Sequence, residues 1–335
     1  QQCLFENPWR RQQLFIVPCR RIAQGQEVEK LGEIVTDVGV AGQQPEVTVG
    51  PGRAGMSEGP GGNIVGQRGG PSTGLPTYSG QSDLHFALNA GQGEFIRLVV
   101  APGDLEEAYY WSALAMTLAW KYQIPAIVVT DKHLGEGIGN FDLRSVGEFI
   151  ESPPRRWDGK GPYKRYDDTE SGISPIAFPP QKDAVVKVNG YEHDEWGITT
   201  EESAVTKKMQ DKRLRKGKYL ADELKSFKTV NTYGNDDGST ALLCWGSNKG
   251  VCVELAQELG LKVVQPILLS PFPEDAFKEA MKGVNKLIAV ENNATGQLAR
   301  LIRTYGFCID GMILKYEGRP FTLDELGRSV KEIIQ

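Results

Sequence analysis

The stretch that most restricts the fold runs from residue 96 to residue 131. Ile96-Arg97-Leu98-Val99-Val100-Ala101 is an apolar run of strand length that ends at Pro102-Gly103. Asp104 follows as an N-cap with Glu107 at the capping-box offset, and apolar positions continue at helical spacing from Leu105 to Tyr122. Pro125 precedes a second run, Ala126-Ile127-Val128-Val129-Thr130-Asp131. This order predicts a β-α-β unit, and strands apolar almost throughout predict a parallel sheet covered on both faces. The pattern returns later in the chain. Strands are expected at Ser239–Trp245, Lys262–Leu268 and Lys286–Glu291, each followed by a helix: Gly250–Leu259, one through Met281 after Pro271-Phe272-Pro273, and one through Arg303. Three such pairs predict a second parallel α/β layer.

The chain of 335 residues is long enough for two ordinary domains. Residues 135–190 are dense in glycine, proline and charge, which places a boundary there. The expected division is 1–150, a linker and interface helix over 151–235, and 236–335. A net charge of −5 gives no footprint for nucleic acid, and no apolar run is long enough to span a bilayer. With no signal-peptide pattern, the expected location is the cytoplasm; a start at Gln1 suggests that an N-terminal segment is missing. The five cysteines, Cys3, Cys19, Cys244, Cys252 and Cys308, form no C-x-x-C pair. That argues against a disulfide framework, a zinc site or an iron–sulfur cluster held by this chain alone. Glu192-His193-Asp194-Glu195 invites a metal reading, but adjacent ligands rarely face one ion, and no metal site is assigned. His133, after a strand, reads as a surface residue. The helix from Thr199 to Lys225 carries Lys207, Lys208, Lys212, Arg213, Arg215, Lys216 and Lys218, and reads as a solvated basic face.

Chemistry concentrates in Gln67-Arg68-Gly69-Gly70-Pro71-Ser72-Thr73-Gly74-Leu75-Pro76-Thr77. Three glycines permit positive φ and close ligand approach, two prolines fix φ, and Arg68 carries a fork of donors matched to a carboxylate or phosphate. Such a loop suits a small anion held against backbone; by composition alone it is also an ordinary surface turn.

This loop, with Gln81-Ser82-Asp83-Leu84 after it, resembles the signature loop of the α subunit of 2-oxoacid:ferredoxin oxidoreductases, the 2-oxoglutarate and branched-chain types most closely. Trp245-Gly246-Ser247, Pro271-Phe272-Pro273, Val290-Glu291-Asn292-Asn293-Ala294-Thr295-Gly296-Gln297-Leu298 and Lys315-Tyr316-Glu317-Gly318-Arg319-Pro320-Phe321-Thr322 are similar to later parts of the same family. The resemblance covers residues 50–335 with one interruption. It implies a thiamine-diphosphate-binding, pyrimidine-type parallel-sheet domain followed by a transketolase C-terminal-like α/β domain. The implied reaction is oxidative decarboxylation of a 2-oxoacid, 2-oxoglutarate by preference, with coenzyme A as co-substrate. Arg68 then holds the substrate carboxylate, and Gly69, Gly70, Ser72 and Thr73 shape the same pocket. Thiamine diphosphate with Mg2+ is shared with a partner β subunit, which carries the diphosphate motif and an iron–sulfur cluster. Ferredoxin takes the electrons, the expected assembly is an (αβ)2 heterotetramer, and γ or δ subunits are optional additions. The Glu-His-Asp-Glu stretch is implied to be structural or interfacial.

Towards the N-terminus the chain departs from the family. Gly50-Pro51-Gly52 matches a turn that opens a helix beside the aminopyrimidine, entered from a strand at Glu46–Val49, but Val49 stands where the family has serine. The glutamate that touches the aminopyrimidine falls by spacing on Glu27, with Glu29 and Glu33 as alternatives. The substrate threonine of the family finds no match near Leu14-Phe15-Ile16-Val17, which reads as a short strand. Between Gly59 and Arg68 only Ile64-Val65 is apolar, so the central strand there is expected to be cut short. Two alternatives stay open: a non-catalytic thiamine-fold subunit that completes a partner's site, and another thiamine enzyme of the transketolase or dehydrogenase E1 type.

Overall fold

The computed structural model describes residues 46–146 and 152–334. Glu27, Glu29, Glu33, the Leu14–Val17 strand, Cys3 and Cys19 lie outside the described residues. The first half contains α1 (Glu46–Ser57), β1 (Gly61–Gln67), α2 (Leu84–Asn89), β2 (Leu98–Val100), α3 (Leu105–Tyr122), β3 (Pro125–Asp131) and α4 (Lys132–Gly135). An irregular tract leads to α5 (Ser203–Leu224). The second half follows as β4 (Val230–Gly234), β5 (Thr240–Leu243), α6 (Lys249–Leu259), β6 (Lys262–Pro266), β7 (Leu268–Ser270), α7 (Glu274–Ala280), β8 (Lys286–Glu291), α8 (Gln297–Thr304), β9 (Gly311–Leu314) and α9 (Leu323–Ile334).

The β-α-β unit forms as the sequence predicts. Asp104 accepts from the Glu107 amide and so caps α3, while the Glu107 carboxylate reaches back to the amide of Gly103, one residue before the cap. β1 and β2 both run parallel to β3, giving the order β1-β3-β2-β7. The second sheet has the order β4-β6-β5-β8-β9, parallel except for β4, which is antiparallel to β6.

Four expectations need correction. Glu46–Val49 is not a strand: it opens α1, which continues through Gly50-Pro51-Gly52. The β-branched Val47-Thr48-Val49 favours extended backbone, yet it stands in the first turn of α1. A Cβ on Gly55 would come within 2.6 Å of the Phe95 ring, so this helix lies closer to its neighbour than one with side chains there. The strand before Arg68 is not cut short. β1 keeps register with β3 over seven residues, Gly61↔Pro125 to Gln67↔Asp131, as an edge strand of the sheet. At Gly62 the strand lies close under α3, where a Cβ would meet Met116 Cε at 2.5 Å. The run from Lys262 to Leu268 is two strands: the chain leaves the second sheet at Ile267, and β7 pairs antiparallel with β2 of the first. A run buried on both faces fits either sheet, so its apolarity does not mark the crossing.

The fourth concerns α5. Lys212, Arg213 and Lys216 are buried, in line with Met209, Leu220 and Leu224, while Lys207, Lys208 and Lys218 stay exposed. The helix therefore carries cations on its core-facing stripe. Their partner is Glu58, itself fully buried at the α1–β1 turn with φ +50°. Lys212 reaches its carboxylate at 2.6 and 2.7 Å and Lys216 at 2.5 Å. Arg165 adds hydrogen bonds to the Ser57 and Glu58 carbonyls and to Gln123. Burial alone raises the Glu58 pKa, but the Lys216 and Lys212 ammoniums override it and hold the carboxyl at about 2. Burial lowers Lys216, and a single carboxylate shared with Lys212 leaves it at about 7.

The halves share one core. Val65, Val99, Ile127 and Val129 of the first sheet pack in the same cluster as Leu243, Val264, Leu287 and Ala289 of the second. This arrangement brings the carboxyl ends of strands from both sheets to one seam.

Candidate anion-binding loop at the seam

The loop begins at the carboxyl end of β1, where ligand sites of parallel sheets usually lie. Gln67 is buried, and its side-chain oxygen accepts from the Asp83 amide at 2.9 Å. The Ser82 hydroxyl donates to the Arg68 carbonyl at 2.9 Å. These two bonds close the base of the loop. Within it, the Leu75 amide donates to the Gly69 carbonyl at 2.8 Å, and Arg68 Nε donates to the Thr73 carbonyl at 3.0 Å. The return is tight enough to require glycine. At Gly74, with φ +49°, a Cβ would lie 1.9 Å from the Gly69 carbonyl oxygen. The sequence therefore reads as a loop folded onto its own arginine, with residues 70–78 exposed.

Gln81 ties that loop to the second half. Its side-chain amide donates to the Trp245 carbonyl at 2.7 Å, and its side-chain oxygen accepts from Asn248 Nδ2 at 2.8 Å and the Asn292 amide at 3.0 Å. Its own amide donates to the Asn292 carbonyl at 2.8 Å. Asp131, at the end of β3, accepts from Ser247 and from the Leu134 amide. Glu291, fully buried at the end of β8, accepts from the Leu298 and Ala299 amides and so caps α8. The ends of β1, β3, β5 and β8 thus meet around Gln81.

Of the residues assigned from sequence, Arg68, Gly69 and Thr73 are brought together, with Thr73 using its carbonyl rather than its hydroxyl. Gly70 and Ser72 lie on the exposed arm, Ser72 with φ +55°. Gly50-Pro51-Gly52 is not a turn at a helix N-terminus. It lies inside α1, so its amides belong to helical backbone rather than forming an anion-binding end. Pro51 is buried and Gly52 backs onto Gly91 and Gln92, while no described residue beyond the adjacent helix backbone lies within 4 Å of where a Cβ on Gly50 would stand. Asp83 was not foreseen: burial raises its pKa and the Arg68 charge offsets part of the rise. Its place after Gln81-Ser82, beside the loop's closing bonds, was the available signal. The Glu58 cluster was missed too. Its signal was the spacing of Lys212 and Lys216 between Met209 and Leu220.

The Glu192–Glu195 stretch is spent on structure. Glu192 pairs with Arg213, Asp194 caps its own turn by accepting from the Trp196 and Ile198 amides, and Glu195 pairs with Lys164. His193 is buried against Tyr166, with ring centroids 3.8 Å apart. Among the described residues no group of three or more His, Cys, Asp or Glu side chains can hold a metal ion. His133 is exposed, its amide donating to Ser79.

Residues 50–212 match the family profile described as pyruvate flavodoxin/ferredoxin oxidoreductase, thiamine diphosphate-binding. The chain is 38% identical over 296 residues to the 2-oxoacid:ferredoxin oxidoreductase subunit alpha of Saccharolobus solfataricus, covering 85% of this chain and 46% of the relative. It is 28% identical over 273 residues to the 2-oxoglutarate oxidoreductase subunit KorA of Mycobacterium tuberculosis, covering 79% and 41%. A solved 2-oxoglutarate:ferredoxin oxidoreductase from Magnetococcus marinus, with 2-oxoglutarate, coenzyme A and succinyl-CoA bound, matches with a TM-score of 0.75 and 33% identity, over 86% of this chain and 51% of that one. The chain is thus similar, over most of its own length, to 2-oxoacid:ferredoxin oxidoreductase α subunits. It spans about half the length of the relatives from S. solfataricus and M. marinus.

Proposed function

We propose that this chain is the substrate-binding part of a thiamine-diphosphate-dependent 2-oxoacid:ferredoxin oxidoreductase, acting on 2-oxoglutarate in preference to other 2-oxoacids. The net reaction takes a 2-oxoacid, coenzyme A and two oxidised ferredoxins to acyl-CoA, carbon dioxide, a proton and two reduced ferredoxins. One observation supports the assignment above the others: Arg68 stands at the carboxyl end of a parallel strand, in a loop closed on itself and tied to both sheets. The solved relative that carries 2-oxoglutarate supports the choice of substrate.

The residues present fit one wall of a cofactor site. Gly50, within α1, carries no side chain, and no described residue beyond the adjacent helix backbone lies within 4 Å of where its Cβ would stand, which leaves room for a flat ring there. Among the described residues no group of three or more His, Cys, Asp or Glu side chains can hold a metal ion; in this reading the Mg2+ and diphosphate fall to a partner β subunit, together with the iron–sulfur cluster. When bound, the cofactor supplies a nucleophilic carbon for the keto group and a store for the electrons released with carbon dioxide. This chain contributes binding and orientation. Arg68 forms a charge-assisted pair with the substrate carboxylate, and Gly69, Gly70, Ser72 and Thr73 form the backbone wall beside it. Glu27, with Glu29 and Glu33 as alternatives, is the proposed contact to the aminopyrimidine. No helix among the described residues is long and apolar enough to cross a membrane, and the proposed assembly is a cytoplasmic (αβ)2 complex that passes electrons to ferredoxin.

The test is anaerobic purification of the assembly that contains this chain, mass spectrometry of every subunit, and viologen reduction with coenzyme A and a panel of 2-oxoacids. Reduction strongest with 2-oxoglutarate, alongside a cysteine-rich β chain, is the expected result. No reduction with any 2-oxoacid removes the reading and leaves a non-catalytic thiamine-fold subunit.

A further inference from the structure

The arm of the loop from residue 71 to residue 78 is exposed, yet its far end is held by the second half of the chain. The contact is made by a turn after β9. The Ser79 amide donates to the Gly318 carbonyl at 3.2 Å. Gly318 is buried between exposed neighbours and has φ +87°; a Cβ there would lie 2.8 Å from Leu75 Cδ1 and 2.9 Å from Tyr78 Cβ. The Arg319 guanidinium lies over the Tyr78 ring, 3.7 Å from its centroid. The turn is itself fixed, because the Arg319 carbonyl accepts from Asn292 Nδ2 at 3.0 Å, and Asn292 is bound to Gln81.

We propose that Arg319 and Tyr78 are positioning residues: the Gly318-Arg319 turn latches the arm of the loop, and through Leu75 and Gly69 sets where Arg68 stands. This rests on the reading of the loop as the carboxylate site. The path is short. Tyr78 donates its amide to the Leu75 carbonyl at 3.2 Å, Leu75 donates its own to the Gly69 carbonyl, and the Leu75 side chain covers Gly69, where a Cβ would approach its Cδ1 to 3.3 Å. Gly69 is the residue after Arg68. A cation over an aromatic face is a directional contact, so it fixes the arm in one place where an apolar contact would let it slide. The second half of the chain thereby acts on substrate binding without touching substrate.

The test uses the assembled enzyme with Arg319→Gln, Tyr78→Leu and the double variant, and with Arg319→Lys and Tyr78→Phe, which keep the cation and the ring. Arg319→Gln and Tyr78→Leu should each raise the KM for the 2-oxoacid about two- to fivefold with kcat held within about twofold. The double variant should be no worse than either single one, Tyr78→Phe should behave as the parent, and Arg319→Lys should fall between the parent and Arg319→Gln, because an ammonium keeps the charge without the flat stack. Amide exchange over residues 70–79 should quicken in Arg319→Gln and Tyr78→Leu but not in Tyr78→Phe, which reads the latch without any turnover. Unchanged exchange overturns the latch. Quickened exchange with an unchanged KM overturns the positioning role. A parent assembly that turns over no 2-oxoacid overturns the functional reading instead, and the exchange experiment still decides whether the latch exists.

Discussion

Replacing Glu58 by Gln removes the carboxylate that, among the described residues, pairs with both Lys212 and Lys216, all three fully or almost fully buried. The fold holds the Glu58 carboxyl at about 2 against an ordinary 4.5, a preference for its charged form on the order of 3 kcal/mol. Stranding buried charges costs a comparable 3–5 kcal/mol when one partner of a pair is deleted. Two effects set the pH dependence. Because the folded pKa of Glu58 is depressed, its contribution is present above 4.5 and is lost as pH falls towards 2. Lys216 is also depressed, from 10.5 to about 7, so between those values the unfolded chain holds a proton that the folded chain has shed. That contribution makes stability rise with pH from 7 to 10.5 and is a full penalty below 7. Without Glu58 the two ammoniums lose their counter-charge, and shedding their protons becomes the only relief. We therefore predict that E58Q loses about 3 kcal/mol at pH 6, roughly 4 °C in Tm for a chain of this length, and recovers part of it at pH 9. Chemical unfolding of parent and variant at both pH values, followed by fluorescence and circular dichroism, measures this. A variant within about 1 kcal/mol of the parent at pH 6, or one that is no less destabilised at pH 9, would falsify the reasoning.

Other substitutions probe the seam and the loop. Gln81→Ala strands the Trp245 carbonyl, Asn248 and the Asn292 amide in a buried site, and should cost about 2–4 kcal/mol in the same unfolding assay. Gly74→Ala places a Cβ 1.9 Å from the Gly69 carbonyl oxygen at φ +49°. It should open the loop, raising the KM for the 2-oxoacid at least about tenfold while Tm moves little, since the arm is exposed; a parental KM would show that the closed return is not needed.

Much of this arrangement is legible in the sequence, and for identifiable reasons. The β-α-β unit from Leu98 to Asp131 is written in period and capping chemistry, and Arg68 is marked by the glycines and prolines around it. What could not be read depends on distant partners. Gly61-Gly62-Asn63 has no strand signal of its own and becomes one by pairing with β3 under Met116. Val47-Thr48-Val49 suggests a strand until Gly55 is seen to fit beneath Phe95. Lys212 and Lys216 suggest a wet surface because Glu58, 154 residues away from Lys212, is invisible from the helix. Arg319 is ordinary until the fold lays it over Tyr78.

The central claim is that Arg68 binds the carboxylate of a 2-oxoacid, and the most direct measurement is steady-state kinetics of Arg68→Met in the assembled enzyme, with thiamine diphosphate binding measured alongside by titration. Loss of the guanidinium leaves the substrate carboxylate without its charge partner, so the KM for the 2-oxoacid should rise at least about tenfold while cofactor affinity stays at the parental value. An unchanged KM, or a loss confined to cofactor binding, would contradict the account and remove Arg68 from the substrate site.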